Sequence, residues 1–167
     1  MIPTPADLRL LARYDRSNPW ELAIHGAGHL VAARTSGHTA GGLLRPARHL
    51  DPVDHIDAIL GLSIASPSAR AAIGFAGYAA NEIARDEYRA PLDLIFCVED
   101  DDHDGFHLLD VVADLPDGPA ELFLLEAAAE AVALLRDRWL QVTHLAARLH
   151  AEGREVEAGS DPTLLHA

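Results

Sequence analysis

Two histidines, His25 and His29, lie four residues apart in an apolar stretch that is rich in small residues. On a helix this spacing places both imidazoles on one face, one turn apart, where they can bind the same zinc ion. Zinc peptidases that use this spacing carry a glutamate directly after the first histidine, where it takes a proton from zinc-bound water. Here that position is Gly26, which has no side chain. The segment therefore predicts a metal site that lacks its general base.

The histidine pair alone is also compatible with two half-buried residues that bind nothing. The chain has ten histidines in 167 residues, which produces roughly 0.6 pairs at this spacing by chance. A second such pair, His103 and His107, is present and is a second candidate site. Exposed helix or loop positions explain the remaining histidines, to which we assign no role: His38, His49, His55, His144, His150 and His166.

The segment that carries the pair has the signals of a helix at both ends. Asn18 suits the N-cap, Pro19 suits the first helical position, and Glu21 falls where a capping box has its acid. The pattern predicts a helix from about Pro19 to Thr35 that ends near Ser36 and Gly37.

The middle of the chain alternates between irregular and helical patterns. Residues 38–66 are rich in Gly and Pro, and they predict a strand pair at 42–44 and 59–64 joined by an irregular loop. A helix made almost wholly of small residues is predicted at about 67–88, followed by an extended segment at 89–98.

The last third of the chain is helical by its apolar spacing. One helical pattern carries Phe106, Leu109 and Val112, and a break follows at 117–119. From Ala120 to about Glu152 the chain has no Gly or Pro, which predicts one long helix or two nearly collinear ones. We expect residues 1–167 to form a single, mainly α domain with a small β element at about 38–65.

Charge and composition exclude several classes of protein. The 13 basic and 26 acidic residues give a formal charge of −13, which repels phosphate and argues against nucleic acid as a partner. No apolar run approaches the ~20 residues needed to span a bilayer, and the first residues lack the pattern of a signal peptide. We therefore expect a soluble, cytoplasmic protein that does not bind a membrane.

The single cysteine limits the chemistry further. Cys97 has no partner within the chain for a disulfide, and one thiolate excludes a thiolate-rich zinc site. It lies between apolar residues, so we interpret it as a buried thiol rather than a nucleophile.

The order of these segments resembles the peptidase domain of the FtsH family of ATP-dependent zinc proteases. Residues 24–33 are similar to the zinc helix of that family in all but the glutamate, and 38–64 are comparable to its β segment. The Gly-Tyr-Ala-Ala-Asn-Glu sequence at 77–82 is similar to its Gly-x-Ala-Ala-Glu signature, with Asn81 in place of the first acid. The long C-terminal pattern resembles its closing helix, so the resemblance covers about 18–157.

The resemblance implies a third zinc ligand, an aspartate at the start of a helix about seventy residues after the histidine pair. Asp101 and Asp102 lie at that distance, in the acidic cluster 99–104. Asp101 is favoured because it would share one face with four small or apolar residues, whereas the face of Asp102 would include Asp110. The alternative is that the cluster is only a solvated, acidic helix N-terminus.

The same cluster partly matches a calcium-binding EF-hand loop at 100–111. Asp100, Asp102, Asp104 and the following glycine occupy the expected first positions. Position twelve, which requires a bidentate glutamate, is Val111. Calcium binding is therefore the weaker interpretation.

These patterns lead to a main functional hypothesis and two alternatives. The main one is a zinc-binding, metallopeptidase-like protein in which peptidase activity is lost or impaired, with a peptide or protein as partner. The alternatives are an active hydrolase with a base from Glu82, from Asn81 acting through water, or from the acids at 99–104, and a protein-interaction module without catalysis. The chain has no phosphate-binding loop of an ATPase, and its small-residue helix and C-terminal helix could support a homodimer.

Overall fold

A computed structural model of the chain describes residues 18–38, 40–45, 54–59, 65–99, 108, 110–113, 117–152 and 154–155. These residues are mainly helical, which confirms the predicted class. The helices are α1 (Pro19–Thr35), α2 (Pro67–Ala84), α3 (Pro91–Glu99), α4 (Asp117–Asp137) and α5 (Trp139–Glu152), and the strands are β1 (Ala40–Arg45), β2 (Asp54–Ile59) and β3 (Arg154–Glu155).

Helix α1 begins and ends where its sequence predicts. The Asn18 side chain accepts a hydrogen bond from the backbone N–H of Trp20, 3.1 Å away, and Pro19 takes the first helical position. At the other end the chain turns through Gly37, whose φ of 84° is a left-handed conformation that glycine adopts without steric cost. The Glu21 carboxylate pairs with Arg85 on the turn after α2.

Helix α2 is shorter than predicted. The Ser66 hydroxyl accepts a hydrogen bond from the N–H of Ala69 at 3.2 Å and caps the helix start. The helix ends at Ala84 rather than near residue 88, because Asp86 adopts a φ of 56°, which a right-handed helix cannot continue through.

The prediction of an extended segment at 89–98 is wrong, since α3 occupies Pro91–Glu99. The Asp93 carboxylate accepts hydrogen bonds from the N–H groups of Arg89 at 3.1 Å and Ala90 at 2.9 Å, and so closes the start of the helix. Proline at the first position with an acid two residues later is a helix-start signal, but the apolar run after it is too short to show helical periodicity.

The C-terminal pattern forms two helices, α4 and α5, which are separated by one residue, Arg138. The strands form an antiparallel sheet in the order β2–β1–β3, in which Ala40 pairs with Ile59 and Arg45 pairs with Asp54. The second strand therefore lies at 54–59, earlier than the predicted 59–64, and it meets that range only at Ile59.

Helix α1 lies at the centre of the fold. It packs on α2, on α5 and on the sheet, and α4 covers the other side of α2. Every residue from Leu22 to Ala33 is buried, so this part of the helix is enclosed around its whole circumference. A Cβ at Gly28 would collide with the Ala76 carbonyl oxygen, so glycine is required for the close approach of α1 and α2. No helix in the described ranges is both long and apolar enough to cross a bilayer.

Candidate metal centre

The two predicted ligands, His25 and His29, meet inside the contact between α1 and α2. Their Nε2 atoms lie 3.1 Å apart, and their rings meet edge to face with centroids 4.8 Å apart. The side chains are almost fully buried, with 0% and 4% of the residue surface exposed. The i, i+4 spacing thus produces the convergence that the sequence predicts.

The hydrogen bond of His25 to Asn81 determines which ring nitrogen of His25 carries a proton. His25 Nδ1 lies 3.0 Å from Asn81 Oδ1. The Asn81 amide nitrogen donates to the Glu21 carbonyl oxygen at 2.9 Å, which identifies the other amide atom as the oxygen. Because that oxygen can only accept, His25 donates from Nδ1.

His29 is held in the same tautomer by the backbone. Its Nδ1 lies 2.7 Å from the carbonyl oxygen of Ile73, which can only accept a hydrogen bond. In their neutral forms both imidazoles therefore carry the proton on Nδ1, and each Nε2 presents a lone pair to the other. Two lone pairs at 3.1 Å repel each other unless a proton or a metal cation lies between or beside them.

Helix α2 packs directly against the edges of both rings. A Cβ at Gly77 would collide with the Nε2 atoms of His25 and His29, so this position must be glycine for the pair to adopt its geometry. The neighbouring Tyr78 ring packs edge-on against His25, with centroids 4.9 Å apart. Gly77 and Asn81, one helical turn apart, thus leave room for both Nε2 atoms and place an acceptor at His25 Nδ1.

This arrangement fits a zinc ion. Histidines that bind a metal through one ring nitrogen almost always donate from the other to a carbonyl or carboxylate oxygen, as His25 and His29 do. Tetrahedral zinc with Zn–N bonds of about 2.0–2.1 Å separates two nitrogens by about 3.3–3.4 Å. The observed 3.1 Å is within a few tenths of an ångström of that separation.

The described residues supply no third candidate ligand beside the two histidines. Over the described ranges, no three His, Cys, Asp or Glu side chains are grouped so that they could hold a metal ion. Asp101 and Asp102 lie outside those ranges, as do His103, His107 and most of the 100–111 segment that resembles a calcium loop. Leu108, which follows them in the chain, is helical and buried, and Asp110 is helical and exposed.

Of the candidate general bases, the structure describes the surroundings of Asn81 and Glu82. Gly26 is buried in α1 and has no side chain that could accept a proton. Asn81 uses both halves of its amide, on His25 Nδ1 and on the Glu21 carbonyl. Glu82 is buried with its Oε1 atom lacking a hydrogen-bond partner, and burial, reinforced by the nearby Glu87 carboxylate, raises its pKa to about 7.

Sequence reasoning missed the orienting role of Asn81 and the steric role of Gly77. The spacing of Gly77 and Asn81 could have indicated these roles, because two residues four apart on one helix lie on the same face. Comparison of the chain with protein-family models, curated proteins and solved structures finds no match.

Proposed function

We propose that the chain binds one zinc ion through the Nε2 atoms of His25 and His29 and one aspartate, and that it is a metallopeptidase-like protein without peptidase activity. The observation that carries the proposal is the pair of Nε2 atoms 3.1 Å apart, with both Nδ1 atoms donating to fixed acceptors. The hydrogen bonds at Nδ1 orient the two Nε2 lone pairs for one cation, so the site is preorganised.

The alternative to a metal is a proton shared by the two rings, which would place one positive charge in the buried contact of α1 and α2. Zinc(II) with two neutral imidazoles and one carboxylate has the same net charge of +1, but there the carboxylate bonded to the cation supplies a counter-charge. The order His25, His29 and a later aspartate is also the order that the resemblance to the FtsH peptidase domain implies.

Asp101 is the preferred third ligand, and Asp102 is its alternative. A helix that starts at the acidic cluster would bring Asp101 onto the face of Leu108, which is buried, and away from Asp110, which is exposed and pairs with Arg70 at 2.7 Å. Asp102 would instead lie close to the exposed side. The observed burial pattern therefore supports the assignment to Asp101.

The absence of catalysis follows from two features of the site. Gly26 supplies no general base, and loss of such a base commonly slows a reaction by 10²–10⁴-fold. The histidines are also almost fully buried in the helix contact, which limits the access of a substrate to a zinc ion bound there. Zinc bound here would tie α1 to the acidic segment and stabilise the fold as a module that binds a peptide or protein.

Metal analysis of the purified chain tests the binding. After dialysis against zinc and removal of excess, the wild type is expected to retain one zinc per chain, and His25→Ala and His29→Ala are expected to retain almost none. His144→Ala, an exposed histidine on α5, is the matched control and should retain one. Equal retention by wild type and His25→Ala would contradict the proposal.

A peptidase assay tests the second half of the proposal. The zinc-loaded wild type is expected to leave unfolded protein substrates uncleaved over the time in which an active zinc peptidase degrades them. Cleavage by the wild type that disappears in His25→Ala would instead show an active hydrolase with a base from elsewhere in the chain.

A further inference from the structure

A buried carboxyl group lies apart from the histidine pair, at the end of α2. Glu82 has only 4% of its surface exposed, and its Oε1 atom has no hydrogen-bond partner in the described part of the chain. Native proteins rarely leave such an atom unsatisfied, because an unpaired buried polar group costs free energy. The position of Glu82 therefore calls for a physical explanation.

The charges around Glu82 do not satisfy it. Burial chiefly raises its pKa, the acidic neighbours Glu87 and Asp93 add to this, and Arg85 and Arg89 lower it only in part. Arg85 also pairs with the Glu21 carboxylate, and Arg89 also donates to backbone carbonyl oxygens of the turn between α2 and α3. The buried carboxyl therefore keeps its proton up to about pH 7.

Helix α3 packs on α2 and α4, and its residues Asp93 and Cys97 lie near this carboxyl. Cys97 and Leu94 of α3 are buried, and Glu82 lies close enough to the thiol to contribute to raising the pKa of Cys97, which burial chiefly brings to about 12. The turn that connects the two helices contains Asp86 in the left-handed conformation, which aspartate adopts more readily than most residues.

We propose that Glu82 is a pH-sensitive latch for α3: the protonated carboxyl keeps α3 docked on α2, and loss of that proton loosens α3 and exposes Cys97. The groups that face the carboxyl are Arg85, Glu87 and Arg89 in the turn and Asp93 and Cys97 on α3. This inference does not depend on the metal site.

The direction of the pH effect follows from the pKa in each state. The docked state holds the Glu82 proton up to about pH 7, whereas a solvated glutamate loses it near its ordinary pKa of 4.5. Between these values the loosened state binds fewer protons, so the equilibrium constant for loosening rises by up to about tenfold per pH unit and levels off above pH 7. Raising the pH therefore favours exposure of α3.

Cys97 provides a built-in probe, since it is the only cysteine in the chain. The rate of alkylation of the intact protein by iodoacetamide is measured from pH 5 to 8 and divided by the rate for the urea-unfolded chain at the same pH. For the wild type this ratio is expected to rise steeply up to pH 7 and then level off. For Glu82→Gln, which is neutral at every pH, it is expected to stay flat.

Glu87→Gln is the matched control, because it removes an exposed acid beside the latch and should keep most of the rise with pH. Parallel profiles for wild type and Glu82→Gln would overturn the proposal. If Glu82→Gln does not fold, ¹³C NMR titration of the wild-type protein measures the titration midpoint of the Glu82 carboxyl instead. A midpoint near 7 supports the latch, and a midpoint near 4.5 overturns it.

Discussion

His25 and His29 place their Nε2 atoms 3.1 Å apart in the contact between α1 and α2, while their Nδ1 atoms donate to Asn81 and to the Ile73 carbonyl. The candidate site is therefore assembled from two helices: α1 supplies the two histidines and α2 supplies the groups that orient them. Histidine spacing alone does not distinguish a metal site from two structural histidines, but the tautomer imposed by α2 favours the metal site.

The first prediction concerns the tautomers of His25 and His29. Zinc-loaded protein is expected to show both imidazoles protonated on Nδ1 and not on Nε2, because the Asn81 and Ile73 oxygens require a donor. Long-range ¹H–¹⁵N correlation spectra of the histidine rings distinguish the two tautomers. An Nε2-protonated form of either residue in the loaded protein would contradict the geometry.

Asn81→Ala is expected to weaken zinc binding by about 10–100-fold, because His25 loses the acceptor that fixes its orientation. Asn81→Asp keeps an oxygen facing Nδ1 and is expected to restore most of the affinity, even though it loses the hydrogen bond to the Glu21 carbonyl. Competition with a chromophoric chelator measures the affinities. Equal losses in both variants would indicate a packing role for Asn81 rather than an orienting one.

Gly77→Ala is expected to abolish zinc binding and to lower the free energy of unfolding by about 1–3 kcal/mol, since the added methyl group would displace both rings. Gly118→Ala is the matched control. No heavy atom lies within 4 Å of the position that its Cβ would take, and alanine favours a helix. Urea unfolding measures both variants, and a Gly77→Ala protein as stable as Gly118→Ala would contradict the close packing.

Glu82→Gln is expected to stabilise the whole chain at neutral pH and above. In the wild type the free energy of unfolding falls as the pH rises from 4.5, the pKa of a solvated glutamate, towards about 7, because the buried carboxyl then loses its proton. The full decrease is at most about 3 kcal/mol. Below pH 4.5 the glutamate is protonated in both states, so the difference between the proteins should no longer change with pH. Urea unfolding at pH 5 and pH 8 measures the difference, and a gap that is the same at both pH values would contradict the raised pKa.

Sequence reasoning succeeded where the signals are local. Asn18 and Pro19 mark the start of α1, and the i, i+4 spacing brings His25 and His29 together. It failed for α3, where an apolar run of strand-like composition outweighed Pro91 and the capping acid Asp93.

The contacts around the histidines could not be predicted for a different reason. Asn81 and Ile73 are 56 and 44 residues away from the histidines they orient, and no local signal reports a contact at that separation. The identity of the carboxylate in the site also depends on how the 99–104 segment approaches α1, which spacing along the chain does not determine. A pattern in one helix thus predicts that two ligands converge, but not which groups orient them.

The most direct test of the account is anomalous scattering at the zinc absorption edge, from a crystal grown with one equivalent of zinc and without chelator. The account predicts one strong peak at about 2.0–2.1 Å from the Nε2 atoms of both His25 and His29, with an aspartate oxygen from the 99–104 segment at a similar distance. A crystal in which the two rings bind no zinc, or in which the peak lies at other side chains, would contradict it.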